Sequence, residues 1–183
     1  MKKHGPWQIM SSELKYKNPW MEVTEDKVIR PDGKPGIYAI AKVKSGVSIL
    51  AMDDEGFVYL TCEFKYALGE ESIETVSGGI DQDETPLNAA KRELKEELGI
   101  DASEWTDLGI VNPLTGYVVS PAIVFLARKL KFGKASQEGT EKIKKLKVSF
   151  EEAVRLVMES KITHGQSCVL ILKAHEYLRK RNL

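Results

Sequence analysis

A single run of 23 residues limits what this chain can become more than any other part of it. Gly78 is followed after five residues by Glu84, and seven more lead to Arg92-Glu93; Leu94, a free position, Glu96-Glu97, another free position, Gly99 and Ile100 complete the run. Thr85-Pro86 opens a helix, because a proline in the first turn lacks only an N–H that has no intrahelical partner, and Gly99 ends it. Residues three and four apart on a helix share a face, so Glu93, Glu96 and Glu97 project together within an arc of about 100°. Leu87, Ala90, Leu94 and Leu98 form an adjoining apolar stripe that anchors the helix to a core. The run therefore demands a helix with one face on a core and three carboxylates beside it.

Three carboxylates on one solvated face repel each other by some tenths of a kcal/mol per pair, and a divalent cation removes that cost. An all-oxygen set of this kind suits Mg²⁺ or Mn²⁺ rather than Zn²⁺. Taken alone, Glu93 to Glu97 is also an ordinary charged helix face. The complete pattern is not ordinary: a chance match somewhere in the chain is on the order of 1 in 10⁷ at typical residue frequencies.

Elsewhere the sequence alternates strand-like and helical segments. Residues 1–35 read as a leading β extension with two short strands, Lys15 to Trp20 and Met21 to Ile29, closed by a turn at Pro31-Asp32-Gly33-Lys34-Pro35-Gly36. Residues 36–183 read as the main domain. Ile37 to Val43 is strand-like, and Val47 to Met52 and Phe57 to Phe64 flank the Glu55-Gly56 turn as a hairpin. Strands are expected near Trp105 to Val111 and from Tyr117 to Leu130, and a polar loop from Lys131 to Lys145. A helix opens at Ser149 with Glu152 in capping-box position, and a last helix spans about Ser167 to Lys180. Strands, one helix, strands, then helices make a mixed α/β chain.

Composition narrows the partners. Lys plus Arg and Asp plus Glu are 27 each, so nothing supports a broad nucleic-acid or membrane surface, and nucleic acid is not expected as a partner. No run approaches the ~18 apolar residues of a spanning helix, and the first residues, Met1-Lys2-Lys3-His4-Gly5-Pro6-Trp7-Gln8, hold no apolar block, so no signal peptide is expected and cytoplasmic localisation is the expectation. Cys62 and Cys168 lie in apolar surroundings and read as buried free thiols.

With its box complete at every defining position, the chain resembles the Nudix hydrolase family over roughly residues 37 to 180. The resemblance implies a mixed sheet sandwiched between helices, preceded by the strand-pair extension, and Mg²⁺-assisted hydrolysis of a nucleoside diphosphate linked to another group, with Mn²⁺ a possible substitute. Carried over, Glu93 and Glu97 are the principal metal ligands, Glu96 a third, and the Ser77 carbonyl a further one; Arg92 orients the glutamates. Lys65, in Glu63-Phe64-Lys65-Tyr66, stands where relatives carry an arginine that contacts the diphosphate. The leading extension resembles that of ADP-ribose and nucleotide-sugar pyrophosphatases, where it serves dimer formation and base contact. A homodimer is therefore expected, with Trp20, Arg30 and Tyr38 as candidate base or phosphate contacts, although each reads more readily as a core or interface residue. An acidic residue of a late loop, Glu138 or Glu141, is the candidate for a base or water-orienting group.

Thr115-Gly116 and Ser120 depart from the Pro-Gly pair and glutamate usual in ADP-ribose enzymes, while Tyr117 lies where dinucleoside polyphosphate enzymes carry a tyrosine. Three readings stay open here: a nucleotide-sugar or ADP-ribose hydrolase; a hydrolase of dinucleoside polyphosphates, nucleoside triphosphates or capped RNA; and a nucleotide-binding module without catalysis.

Overall fold

Apolar strands that bury both faces organise most of this chain, as a computed structural model describing residues 1–136 and 142–181 shows. The first strands are β1 (Lys2–His4), β2 (Trp7–Lys17), β3 (Met21–Ile29), β4 (Pro35–Val43), β5 (Gly46–Met52) and β6 (Phe57–Lys65). Next come β7 (Glu70–Glu74), β8 (Val76–Gly79), helix α1 (Pro86–Leu98), β9 (Ile100–Val111), β10 (Val118–Val119) and β11 (Ala122–Phe132). The chain closes with β12 (Lys144–Ser149), α2 (Phe150–Met158) and α3 (Gly165–Arg179). These fall into two units, one of Met1–Ser45 with Asn112–Ser120, the other of Gly46–Val111 with Pro121–Leu183.

In the first unit five strands run in the order β1-β2-β3-β4-β10. The leading strand pair is β2 with β3, larger than the sequence suggested: β2 alone has 11 residues and starts at Trp7. The Asn18 carboxamide makes the turn between them, its Oδ1 accepting from the Trp20 and Met21 N–H groups at 2.9 and 2.7 Å. Short polar side chains close turns in this way by standing in for a backbone acceptor. β10 joins the far edge, parallel to β4, with Val118 opposite Ala41.

In the second unit the sheet order is β12-β6-β5-β11-β9, with β7 beside β6 and β8 beside β5. β5 and β11 are parallel; β6 and β9 run antiparallel to them. Alternation along β5 sends Leu50 and Met52 to one face and Val47, Ile49 and Ala51 to the other; β11 divides Val124 and Leu126 from Phe125 and Ala127 in the same way. The first face packs on Phe150 and Ala153 of α2 and on Leu170, Ile171, Ala174 and Leu178 of α3. The second packs on Ala89, Ala90, Leu94 and Leu98 of α1. This α/β/α sandwich explains why β5 and β11 read as unbroken apolar runs rather than alternating ones.

Three expectations are corrected. The stretch from Tyr117 to Leu130 is not one strand: it breaks at Ser120-Pro121, β10 pairing in the first unit and β11 in the second. Proline has no N–H to carry a ladder onward, so a break there is natural. The polar stretch ending at Lys145 runs into an edge strand, β12, paired with β6 from Lys144↔Cys62 to Ser149↔Phe57. Its lysines hid it, as charge on an exposed edge commonly does. The two thiols are free but only half-buried.

Leu94 is fully buried at the contact of α1 with the sheet. Leu94→Ala is expected to lower unfolding stability by about 3 kcal/mol, read as a shift of the urea midpoint at unchanged slope.

Candidate active site

Helix α1 starts and stops where local chemistry forces it to. The Thr85 hydroxyl accepts from the Asn88 N–H at 3.3 Å, Pro86 occupies the first turn, and Gly99 adopts φ 65° as the terminating residue. A side chain at Gly99 would collide with the backbone of residues 133–135, at 2.6 to 2.7 Å. Gly133 donates to the Gly99 carbonyl at 2.6 Å and Ser136 to the Glu96 carbonyl at 2.9 Å, so this returning segment covers the helix end.

On the helix face beside the core, Arg92 is the hub. Its Nε and Nη2 donate to the two oxygens of Glu84 at 3.1 and 2.9 Å, Nη1 to Glu93 at 2.7 Å and Glu96 at 3.2 Å, and Nη2 also to the Gly79 carbonyl at 2.9 Å. Hydrogen bonding to Glu84 is the foremost reason its guanidinium is held even more firmly protonated than usual, with Glu93 adding to it and burial opposing. Glu84 is fixed in turn, accepting from the Asp81 N–H at 3.1 Å. Beneath them β8 lies against β5 with Ser77 opposite Ser48 and Gly78 opposite Val47. A methyl group on Gly78 would fall on the Glu93 carboxylate. The glycine that opens the run is thus a matter of volume: the carboxylate occupies the space a side chain would need. Glu97, on the same helix, is 7% exposed.

The donor set fits a hard divalent cation. Glu93 and Glu96 share the Arg92 guanidinium with Glu84, so three carboxylates meet one cation and the face keeps a formal negative excess, which suits a hard divalent ion such as Mg²⁺ or Mn²⁺. Among the described residues, no three acidic, histidine or cysteine side chains close on one point as a finished metal site; Glu93 and Glu96 both bind Arg92.

Sequence reasoning gave no hint of a second polar cluster in this unit. Lys65 at the end of β6 binds Glu63 at 2.6 Å and lies 3.9 Å from Glu74, which is buried; Glu74 in turn lies 3.3 Å from Nδ1 of His164. The same His164 nitrogen is 2.9 Å from the Ser167 hydroxyl. That hydroxyl accepts from the Thr75 N–H at 2.9 Å, and Thr75 Oγ1 lies 2.6 Å from Ser48 Oγ. Burial holds the His164 imidazole below its ordinary pKa, the Glu74 carboxylate opposing and Lys65 reinforcing this.

In the first unit, a cavity of about 440 Å³ is lined by Trp7, Tyr38 and Tyr117 together with Val28, Ile40 and Asp26. Tyr38 stacks on Tyr117 with centroids 6.3 Å apart and meets Trp7 edge-on at 5.5 Å; its hydroxyl donates to the Gly116 carbonyl at 2.5 Å. Trp7 was not singled out from sequence, although an aromatic at the start of a strand is the only local signal it gives. Trp20 stands 73% exposed in the β2–β3 turn, and Arg30 is paired with Asp32 at 2.5 Å in the next turn. The sequence candidates thus divide: Arg92, Glu93, Glu96, Glu97, Ser77 and Lys65 in the second unit, Trp20, Arg30, Tyr38 and Tyr117 in the first. Glu138 and Glu141 lie outside the described residues.

Both the leading segment and the main part of the chain resemble known families. Residues 42–166 match the NUDIX domain family, and residues 7–40 match the nucleoside diphosphate sugar hydrolase N-terminal domain. The chain is 26% identical over 166 residues to the ADP-ribose pyrophosphatase of Bacillus subtilis (strain 168), covering 90% of each. It is 29% identical over 126 residues to the ADP-ribose pyrophosphatase of Mycobacterium tuberculosis (strain ATCC 25618 / H37Rv), covering 68% of this chain and 61% of that one. The crystal structure of an ADP compounds hydrolase superposes with a TM-score of 0.85 at 18% identity, covering 99% of this chain and 98% of the other, a likeness of fold.

Because a side chain at position 78 must displace the Glu93 carboxylate, Gly78→Ala is expected to weaken Mn²⁺ binding about tenfold or more with little loss of stability. Calorimetric titration with Mn²⁺ checks this, and unchanged affinity removes Glu93 from the ligand set.

Proposed function

The chain belongs to the NUDIX family and is a hydrolase acting on nucleotide diphosphates; from that premise we propose that it is a Mg²⁺-dependent pyrophosphohydrolase of ADP-ribose or a nucleoside diphosphate sugar. The observation that carries the reading is the Arg92 hub with Gly78 beneath Glu93, joined to a leading segment that matches the nucleoside diphosphate sugar hydrolase N-terminal domain. The two relatives named ADP-ribose pyrophosphatase point to the same substrate class.

On this reading Glu93, Glu96 and Glu97, with the Ser77 carbonyl, hold Mg²⁺, and Mn²⁺ substitutes for it. When bound, the cation supplies charge neutralisation and a more acidic water. The remaining work falls to the chain. Arg92 keeps Glu93 and Glu96 in register, Glu97 is held in a buried setting that favours a fixed rotamer, and Lys65 meets an anhydride oxygen. Water adds to one phosphorus, the P–O–P bond breaks, and a nucleoside monophosphate and a sugar phosphate leave. Glu138 or Glu141 accepts the water's proton. The Tyr38–Tyr117 stack and Trp7 offer the planar surface that a nucleobase takes, with Trp20 and Arg30 as further substrate contacts. The protein acts as a cytoplasmic homodimer whose leading β extension, residues 1–35 of the first unit, makes the dimer. No helix among the described residues is long and apolar enough to cross a membrane.

Release of a nucleoside monophosphate is expected from ADP-ribose or one sugar nucleotide, in Mg²⁺ and not in EDTA, across a panel that includes a dinucleoside tetraphosphate and the common triphosphates. Turnover confined to the polyphosphates replaces this substrate class and makes Tyr117 the next residue to test. Glu97→Gln, near-isosteric at a buried position, is expected to fold normally and lose at least about a hundredfold in kcat, the several kcal/mol that a bound cation supplies. Full activity would remove it from the ligand set.

A further inference from the structure

Glu74 is a buried carboxylate held at an unusually well-defined place. Its own carbonyl accepts from the Thr61 hydroxyl at 3.2 Å, and the next residue's N–H is tied to the fully buried Ser167 hydroxyl at 2.9 Å. Its backbone is therefore pinned from β6 on one side and from the first turn of α3 on the other. Register sets Glu74 opposite Thr61, and by alternation Thr61, Glu63 and Lys65 share the face of Tyr59, which packs into the core beneath α1. Glu74 and Lys65 thus share the sheet face that α1 covers. Its Oε2 is shared, 3.9 Å from the Lys65 ammonium and 3.3 Å from the His164 imidazole.

Lys65 has a competing partner in its own strand. Glu63, two residues back on the same face, binds it at 2.6 Å, and a lysine tied only there would lie along β6. The Glu74 carboxylate, 3.9 Å from the ammonium, adds a second and weaker attraction from the β7 side. Burial alone would lower the Lys65 pKa, and the carboxylates of Glu63, Glu74 and Glu97 together outweigh it, which places Lys65 in the field of the box helix.

We propose that Glu74 is a positioning residue: through its ion pair it sets the Lys65 ammonium where the substrate diphosphate meets it, with His164 and Ser167 holding the carboxylate in place. The inference rests on the proposed role of Lys65 as a diphosphate contact. An ordered side chain of this type works because its own supports are fixed before the ligand arrives. The opposite sign is physically available, since a carboxylate on a lysine also competes with phosphate, and the experiment separates the two.

ADP serves as the diphosphate probe, titrated calorimetrically in EDTA so that no turnover intervenes. Lys65→Met is expected to weaken ADP about fivefold, as for a partly exposed ion pair, and Glu74→Gln to weaken it to within a factor of two of that value. The double variant is expected to match Lys65→Met alone, since two residues acting through one contact do not add. Glu74→Asp, which keeps the charge and shortens the reach, falls between wild type and Glu74→Gln and serves should Glu74→Gln not fold. Full affinity in Lys65→Met overturns the Lys65 assignment and this inference with it. A weakened Lys65→Met beside an unaffected or tighter Glu74→Gln, or an additive double variant, overturns the positioning role alone.

Discussion

One guanidinium sets the chemistry of the second unit. Arg92 spends its donors on Glu84, Glu93, Glu96 and the Gly79 carbonyl, and so ties the loop before α1, the strand beneath it and the helix face into one rigid piece. An arginine suits this task better than a lysine because its planar fork meets Glu84 with two parallel bonds while a third direction remains for the helix neighbours. Remove it and the carboxylates of Glu84, Glu93 and Glu96 lose their shared partner on a partly buried face.

That arrangement holds only because the helix itself cannot shift. Leu94 and Leu98 are buried against Val47, Ile49 and Phe125, and the opposite face of the same strands is buried under α2 and α3. A sheet covered on both sides fixes register strongly, since a slip of one residue would exchange the two cores. Gly78 inherits its position from β5 through the Val47 pairing. The carboxylate above it is therefore placed by the sheet as much as by the helix.

Local signals made the box legible and long-range pairing hid the rest. Thr85, Pro86 and Gly99 announce the ends of α1 in the sequence, and the structure has the helix at Pro86–Leu98. The 3.6-residue period put Glu93 and Glu96 on one side, where Arg92 takes both. By contrast, Pro121 marks a break between Val118-Val119 and Ala122, but nothing local assigns the two pieces to different sheets; their partners, Ala41 and Gly46, do that. β12 hid behind its lysines. Glu74 and His164 are 90 residues apart and carry no spacing that links them, so their contact becomes visible only once β7 and the start of α3 are folded together.

The balance of charge within the second unit bears on why a diphosphate hydrolase built this way calls for a cation. Its two site cations already have anionic partners: Arg92 binds Glu84, Glu93 and Glu96, and Lys65 binds Glu63 with Glu74 beyond. A diphosphate brings further negative charge to a face that holds more carboxylates than bases, and in a partly dehydrated site such repulsion is screened far less than in water. Lys65 can meet only part of that charge while it stays paired with Glu63 and Glu74, and Arg92 cannot turn to it without abandoning a carboxylate, which would leave that group exposed to the same repulsion. Added positive charge from outside the chain resolves both terms together, meeting the carboxylates and the phosphate oxygens at once. On the proposed reading, metal dependence is thus a consequence of how the chain's own charges are paired, and Glu74 belongs to that pairing as fully as the glutamates of the helix do.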